Sequence, residues 1–117
     1  MISGGFANGV IFVRPLDGKK SEVDAFLTKN LQDIRDNVPG VRIAYHFWVR
    51  EKNQFVVVES FESTQAMFNY GNSEYHEGLV SQIIGLVEKP LEALSDQDST
   101  EELHGFRKSG QAAHINV

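Results

Sequence analysis

Residues 41–63, VRIAYHFWVREKNQFVVVESFES, decide the fold of this chain. Side chains alternate between the two faces of a strand, so Val41, Ile43, Tyr45, Phe47 and Val49 point one way and Arg42, Ala44, His46 and Trp48 the other. The pattern returns after a short gap, with Phe55, Val57, Glu59 and Phe61 on one face and Val56, Val58 and Ser60 on the other. A β-branched run of this kind suits a strand covered on both sides. The segment from Arg50 to Gln54 is polar and able to turn, so the two strands are expected to form a hairpin. A turn centred on Lys52 sets Phe47 opposite Val57 and Tyr45 opposite Glu59, and a slip of one residue inverts those faces.

Upstream, Gly9 to Arg14 is a short apolar run closed by Pro15 and the Asp17-Gly18 turn signal, and reads as the first strand. Ser21 with Asp24 resembles a capping box, and Val23, Phe26, Leu27, Leu31 and Ile34 recur at helical spacing. Asn37, Val38, Pro39 and Gly40 stop that helix. Downstream, Ser63 caps a short helix carrying Ala66, Met67 and Phe68. Gly71-Asn72 interrupts it, and Ser73 starts a longer helix with a stripe of Tyr75, Leu79, Val80, Ile83, Ile84 and Val87 that Lys89-Pro90 should end. Leu91 to Ser95 supplies a fourth strand. The order β-α-β-β-α-β is the split βαβ arrangement of an α+β, ferredoxin-like fold with one antiparallel four-stranded sheet. Residues 1–95 form this domain. Residues 96–117 form a polar C-terminal extension, in which Ser99 and Glu102 suggest either a short helix over Thr100 to Arg107 or a solvated tail, with Ala112 to Val117 as a candidate terminal strand.

A chain of 117 residues is one domain by size and large enough to bury a core. Its net charge of −5 argues against a nucleic-acid partner. The absence of cysteine excludes disulfide scaffolds, thiolate catalysis and thiolate metal sites. The start, MISGGFANG, lacks the features of a signal peptide, and no apolar run approaches the roughly 18 residues of a membrane span, so a cytoplasmic protein with no membrane partner is expected. His76 and Glu77 are adjacent and cannot share one helix face as metal-binding pairs do, and no Gly-x-Gly-x-x-Gly occurs. Neither a metal nor a cofactor is expected.

Two helices cover only one face of a four-stranded sheet. The other face, assigned Trp48, Val56 and Val58, presents more apolar surface than a monomer usually exposes, and a second copy related by a two-fold axis is its simplest cover. A strand beginning after Pro39-Gly40, the hairpin, and VVVESFES followed by Gln65 to Tyr75 and an amphipathic helix together resemble the dimeric α/β-barrel superfamily, over residues 8 to 95. The branch most similar is that of antibiotic-biosynthesis-monooxygenase-like domains. The resemblance implies a homodimer and, among possible activities, cofactor-free oxygenation of polyketides or quinols. Phe61 stands where that family carries tryptophan, and Asn69 and Tyr70 stand where many members carry histidine. The haem-degrading branch is matched only at Asn8, with Val80 in place of the haem-ligating histidine.

Glu59 is an acid on an otherwise apolar strand face, where burial raises its pKa toward that of a useful base or acid; the plainer role is a structural carboxylate. His46 is a candidate base or relay whose plainer role is an interface histidine, and His76 is a further candidate at the start of the long helix. Phe61, Phe68, Tyr70 and Tyr75 cluster around the helix break, where Gly71 lets backbone approach a ligand and Asn69 and Asn72 supply polar tips; Tyr45 joins them beside Glu59. The same aromatics also serve simply as core. His104 and His114 read as surface residues. Three functions fit: an oxygenase-like enzyme on an apolar, oxygen-bearing polyketide, quinol or oxidised acyl compound; a non-catalytic binder of an apolar or amphipathic, lipid-like metabolite; and a structural dimer.

Overall fold

In the computed structural model, residues 6–99, 104–106 and 112–114 are described, with side chains described as far as Asp96. The elements run β1 (Phe6–Val13), α1 (Lys20–Asn37), β2 (Val41–Val49), β3 (Gln54–Phe61), α2 (Thr64–Gly71), α3 (Glu74–Ile83) and β4 (Glu92–Ser99), with two further short strands, β5 (His104–Phe106) and β6 (Ala112–His114). The main sheet has the order β2-β3-β1-β4 and is antiparallel throughout, which makes it the ferredoxin-like α+β fold. The fourth strand continues past Ser95 to Ser99. Of the helix expected over Thr100 to Arg107, His104–Phe106 is instead a strand paired antiparallel with Ala112–His114, and the remaining residues of that expectation lie outside the described residues.

The hairpin differs from the sequence expectation in one respect that changes every cross-strand neighbour. Arg50–Lys52 forms a single 3-10 turn and Asn53 takes the left-handed conformation at φ 52°, so the connection holds four residues and Val49 faces Gln54. Phe47 therefore pairs with Val56, Tyr45 with Val58, His46 with Val57 and Ala44 with Glu59. An irregularity at Arg42 then returns Val41 to the face of Phe61.

The register sorts the residues onto two faces. Toward the helices lie Ala7, Val13, Phe55, Val57 and Phe61, packed against Val23, Leu27, Leu31 and Ile34 of α1 and Leu79 and Ile83 of α3. Trp48 belongs to this side too. It meets the Phe55 ring edge-on with centroids 4.8 Å apart, and the Lys20 ammonium lies 4.1 Å from its own ring centre. The uncovered face instead carries Tyr45, Val58, Val10 and Leu94 in one row across all four strands, and Phe47, Val56 and Phe12 in the next. Tyr45, Phe47 and Leu94 remain 48%, 46% and 61% exposed.

Caps position the helices that frame the site. Ser63 Oγ accepts from the Ala66 amide and Ser73 Oγ from the His76 amide, so the break between α2 and α3 is set by the two serines. Ser21 does not cap α1. The helix begins one residue earlier, behind Lys19, whose ammonium reaches Glu22. It ends at Asn37, and in the turn that follows Gly40 takes φ +81° and its carbonyl accepts from the Glu62 amide at 2.8 Å, tying the entry of β2 to the exit of β3. The long helix stops at Ile83, before Lys89-Pro90. Val87 is buried outside it, bridged to Pro15.

Candidate functional site

On the helix side of the sheet one row reads Ala44, Glu59, Gly9 and Ser95 across β2, β3, β1 and β4. The residues flanking Glu59 are small, so the carboxyl stands among neighbours that leave space above the strand. That space is a chamber of about 110 Å³ between the sheet, α1 and α3, with Glu59, Tyr70, His76 and Asn30 as its polar members and residues such as Phe26 and Val80 as its apolar wall. No hydrogen bond or ion pair engages Glu59 among the described residues. Burial without compensation raises its pKa from 4.5 to about 7. Near neutrality the group is shared between acid and base forms, the condition for accepting a proton and returning it.

Asn30 was not singled out from the sequence. Its Nδ2 donates to the Phe26 carbonyl at 2.8 Å, and its Oδ1 has no partner among the described residues. The signal was available: Asn30 lies three and four residues from Leu27 and Phe26, on the apolar face of α1.

The second space is a groove of about 580 Å³ at the helix break, bounded by the end of α1, the Pro39-Gly40 turn, the start of α2 and the start of α3. Asp33, Glu62, Asn69 and Tyr75 line it, with Tyr70 at its inner end. Tyr75 donates to Asp33 Oδ2 and Gln65 Nε2 donates to Asn69 Oδ1 at 2.8 Å. Burial, then the charges of Glu59 and Tyr75, push the Tyr70 phenol well above the usual tyrosine range, so it stays protonated.

The structure brings Glu59, His76 and Tyr70 to the chamber and Asn69, Tyr70 and Tyr75 to the groove. The others fall elsewhere. His46 shares the helix-side face with Glu59 rather than lying opposite it, and its Nε2 sits 2.9 Å from Asp24 Oδ1, tying the edge strand to α1. Tyr45, which the expected register placed beside Glu59, is on the uncovered face and stacks with Phe47 at 6.3 Å. Phe61 is core, 1% exposed, and Phe68 points outward at 46%. Gly71 and Asn72 are exposed at the end of α2 and line neither space. Asn8 lies across the sheet from the chamber, where Ser60 Oγ donates to its Oδ1 at 2.6 Å. No cluster of His, Cys, Asp and Glu suited to a metal ion occurs among the described residues.

No family model matches the sequence, and no curated protein matches it. Solved structures do. A proposed antibiotic biosynthesis monooxygenase from Caulobacter crescentus aligns at a TM-score of 0.74 over 84% of this chain and 92% of that one, with 16% identity. A proposed enzyme of the same name from Deinococcus radiodurans gives 0.73 over 83% and 95%, with 12% identity. A protein from Shewanella oneidensis gives 0.71 over 83% and 94%, with 18% identity. At these identities the likeness is one of fold: the chain has the ferredoxin-like fold of antibiotic-biosynthesis-monooxygenase-like proteins. Among the described residues no helix is long and apolar enough to cross a membrane.

Proposed function

We propose that this chain is a homodimeric, cofactor-independent oxygenase of the antibiotic-biosynthesis-monooxygenase type, acting on an apolar phenol, quinol or polyketide-like ring. The observation that carries the reading is Glu59, an unpartnered carboxyl with a pKa of about 7 on the floor of an apolar chamber. In the proposed step Glu59 takes a proton from the hydroxyl or from the activated carbon of the ring. Asn30 Oδ1 accepts from the neutral hydroxyl and the protonated Tyr70 donates to the electron-rich anion left behind, which adds dioxygen at a hydrogen-bearing carbon; the peroxide takes the proton back from Glu59 and, as its O–O bond breaks, loses water to leave a carbonyl at that carbon. His76, edge-on to Tyr70 with centroids 4.9 Å apart, completes the polar end of the chamber. The fold neighbours named for this activity support the class. A second copy covers the Tyr45, Val58, Val10 and Leu94 face.

The test is oxygen uptake with a panel of hydroxynaphthalenes and quinols, run alongside binding. Glu59→Gln should abolish uptake and keep affinity. Binding by the wild type without uptake of oxygen by any member would favour the second reading, a binder of amphipathic metabolites. The groove of about 580 Å³, larger than the chamber and free of any basic residue in its lining, is what supports that alternative. The two open spaces weigh against a purely structural dimer.

A further inference from the structure

Tyr70 is the one residue that lines both the chamber and the groove. Tyr70 is 8% exposed within the core cluster, and its ring meets those of Phe61 at 5.7 Å, Tyr75 at 6.5 Å and His76 at 4.9 Å between centroids. The Tyr70 hydroxyl makes no hydrogen bond among the described residues and is not among the buried unpartnered polar atoms, so it reaches open space. The backbone beneath it is fixed instead, since its carbonyl accepts from Ser73 Oγ at 2.6 Å and from the Ser73 amide at 3.1 Å. Thus Cα is anchored while no polar contact pins the ring.

The volumes say what the ring controls. The chamber, about 110 Å³, holds about four waters at roughly 30 Å³ each, and a dry cavity that takes benzene measures about 150 Å³. A ring-sized ligand therefore cannot lie wholly within the space beside Glu59 while Tyr70 stays where it is, whereas the groove on the far side is about 580 Å³. From this juxtaposition we infer that Tyr70 is the specificity-determining residue of the site, a movable partition that limits which rings pass from the groove to Glu59 and His76. It rests on the proposed use of the chamber but not on catalysis.

A partition taxes binding. Apparent affinity is the intrinsic affinity reduced by the fraction of molecules in which the ring has swung aside, and a smaller side chain removes that tax. The probe is 2-naphthol, a two-ring phenol, with its site read from the NMR shifts of the Glu59 carboxyl and the His76 ring. Tyr70→Leu, which keeps an apolar side chain at this buried position, should lower the dissociation constant about tenfold or more, with the Glu59 and His76 shifts tracking saturation. Tyr70→Phe keeps the partition and loses the hydroxyl that orients the ring, so it should show no such gain, and a gain equal to that of Tyr70→Leu would overturn the inference. An unchanged or higher dissociation constant in folded Tyr70→Leu would overturn the inference, because Tyr70 would then be wall or contact rather than partition. If Tyr70→Leu fails to fold, Tyr70→Met is read in its place by the same criterion. Tighter binding without oxygen uptake would sink the oxygenase reading and leave the partition standing. Uptake lost in Glu59→Gln together with an unchanged Tyr70→Leu affinity would do the reverse.

Discussion

Tyr75, in the first turn of α3, donates its phenolic hydrogen to Asp33 Oδ2 on α1, and Asn37 Nδ2 holds the other carboxylate oxygen at 2.7 Å. This pair spans the groove and is the polar tie between the two helices that cover the sheet beside Tyr70. Partial burial, then the hydrogen bond and charge of Asp33, push the Tyr75 pKa up from 10 to about 12. The protonated phenol is the form the fold prefers, so the tie is complete below pH 10 and is lost as pH rises through 12. Tyr75→Phe should cost about 1 kcal/mol in urea unfolding at pH 7, as befits a solvent-accessible hydrogen bond to a carboxylate. Equal stabilities for the two proteins at pH 7 would show that the bond contributes nothing.

Glu59 reverses the usual behaviour of a carboxylate. Its folded pKa, about 7, lies above the ordinary 4.5, so the native state prefers the protonated acid. The favourable balance is whole below pH 4.5 and is lost as pH climbs through 7, by about 3 kcal/mol once the group is ionised. Glu59→Gln should therefore be close to wild type in stability at pH 4.5 and more stable than it at pH 8. Urea midpoints at the two pH values check this. A stability difference that does not move with pH would remove the unpaired carboxyl from the account, as would a carbon-detected titration of Glu59 with a midpoint at 4.5 or below.

The uncovered face is the basis for the proposed dimer. Tyr45, Val58, Val10 and Leu94 form an unbroken apolar row, and a charge placed in it would have to be buried unpaired if a second copy lies there. Light scattering should give about twice 13.1 kDa for the wild type at ten micromolar. Val58→Lys should abolish that species, leaving monomer or aggregate. A wild-type mass of one chain would mean that this face meets something other than itself.

How much of this was legible in the sequence depended on whether a signal is local. The hairpin, the element order and the Ser63 and Ser73 caps are written in neighbouring residues, and the structure has them. Cross-strand register is not local. It hangs on the connection Arg50 to Asn53, where a left-handed Asn53 fixed the parity that polar composition leaves open. The unusual setting of Glu59 could be read, because Val57 and Phe61 share its face whatever the register. Its true neighbour, Ala44, could not, and with it went the expected positions of Tyr45, His46 and Trp48. In the tail, Ser99 and Glu102 satisfy a capping pattern, but His104–Phe106 pairs with the nearby Ala112–His114, a local pairing that the polar composition did not announce.

The last prediction separates two glycines that border the helix break. Gly40 sits at φ +81°, where an L side chain is strained, and a Cβ built on it would lie 2.6 Å from Ala66 Cβ, under the distance real carbons reach. Retreat is blocked, since the Gly40 carbonyl is held by the Glu62 amide at 2.8 Å. Gly71, the final residue of α2, has no positive φ, and a Cβ there would meet nothing within 4 Å. The sequence suggested Gly71 as the close approach to a ligand; the structure gives the tight spot to Gly40, on the wall of the groove. Gly40→Ala should cost about 2–3 kcal/mol, from left-handed strain and the displaced Ala66, and lower the melting temperature by about 10 °C. Gly71→Ala should raise stability by about 0.5 kcal/mol through reduced freedom of the unfolded chain. Thermal melts of the two variants beside wild type decide it. If Gly40→Ala melts with the wild type, the turn that joins α1 to β2 has room to move, and the groove wall is softer than its contacts imply.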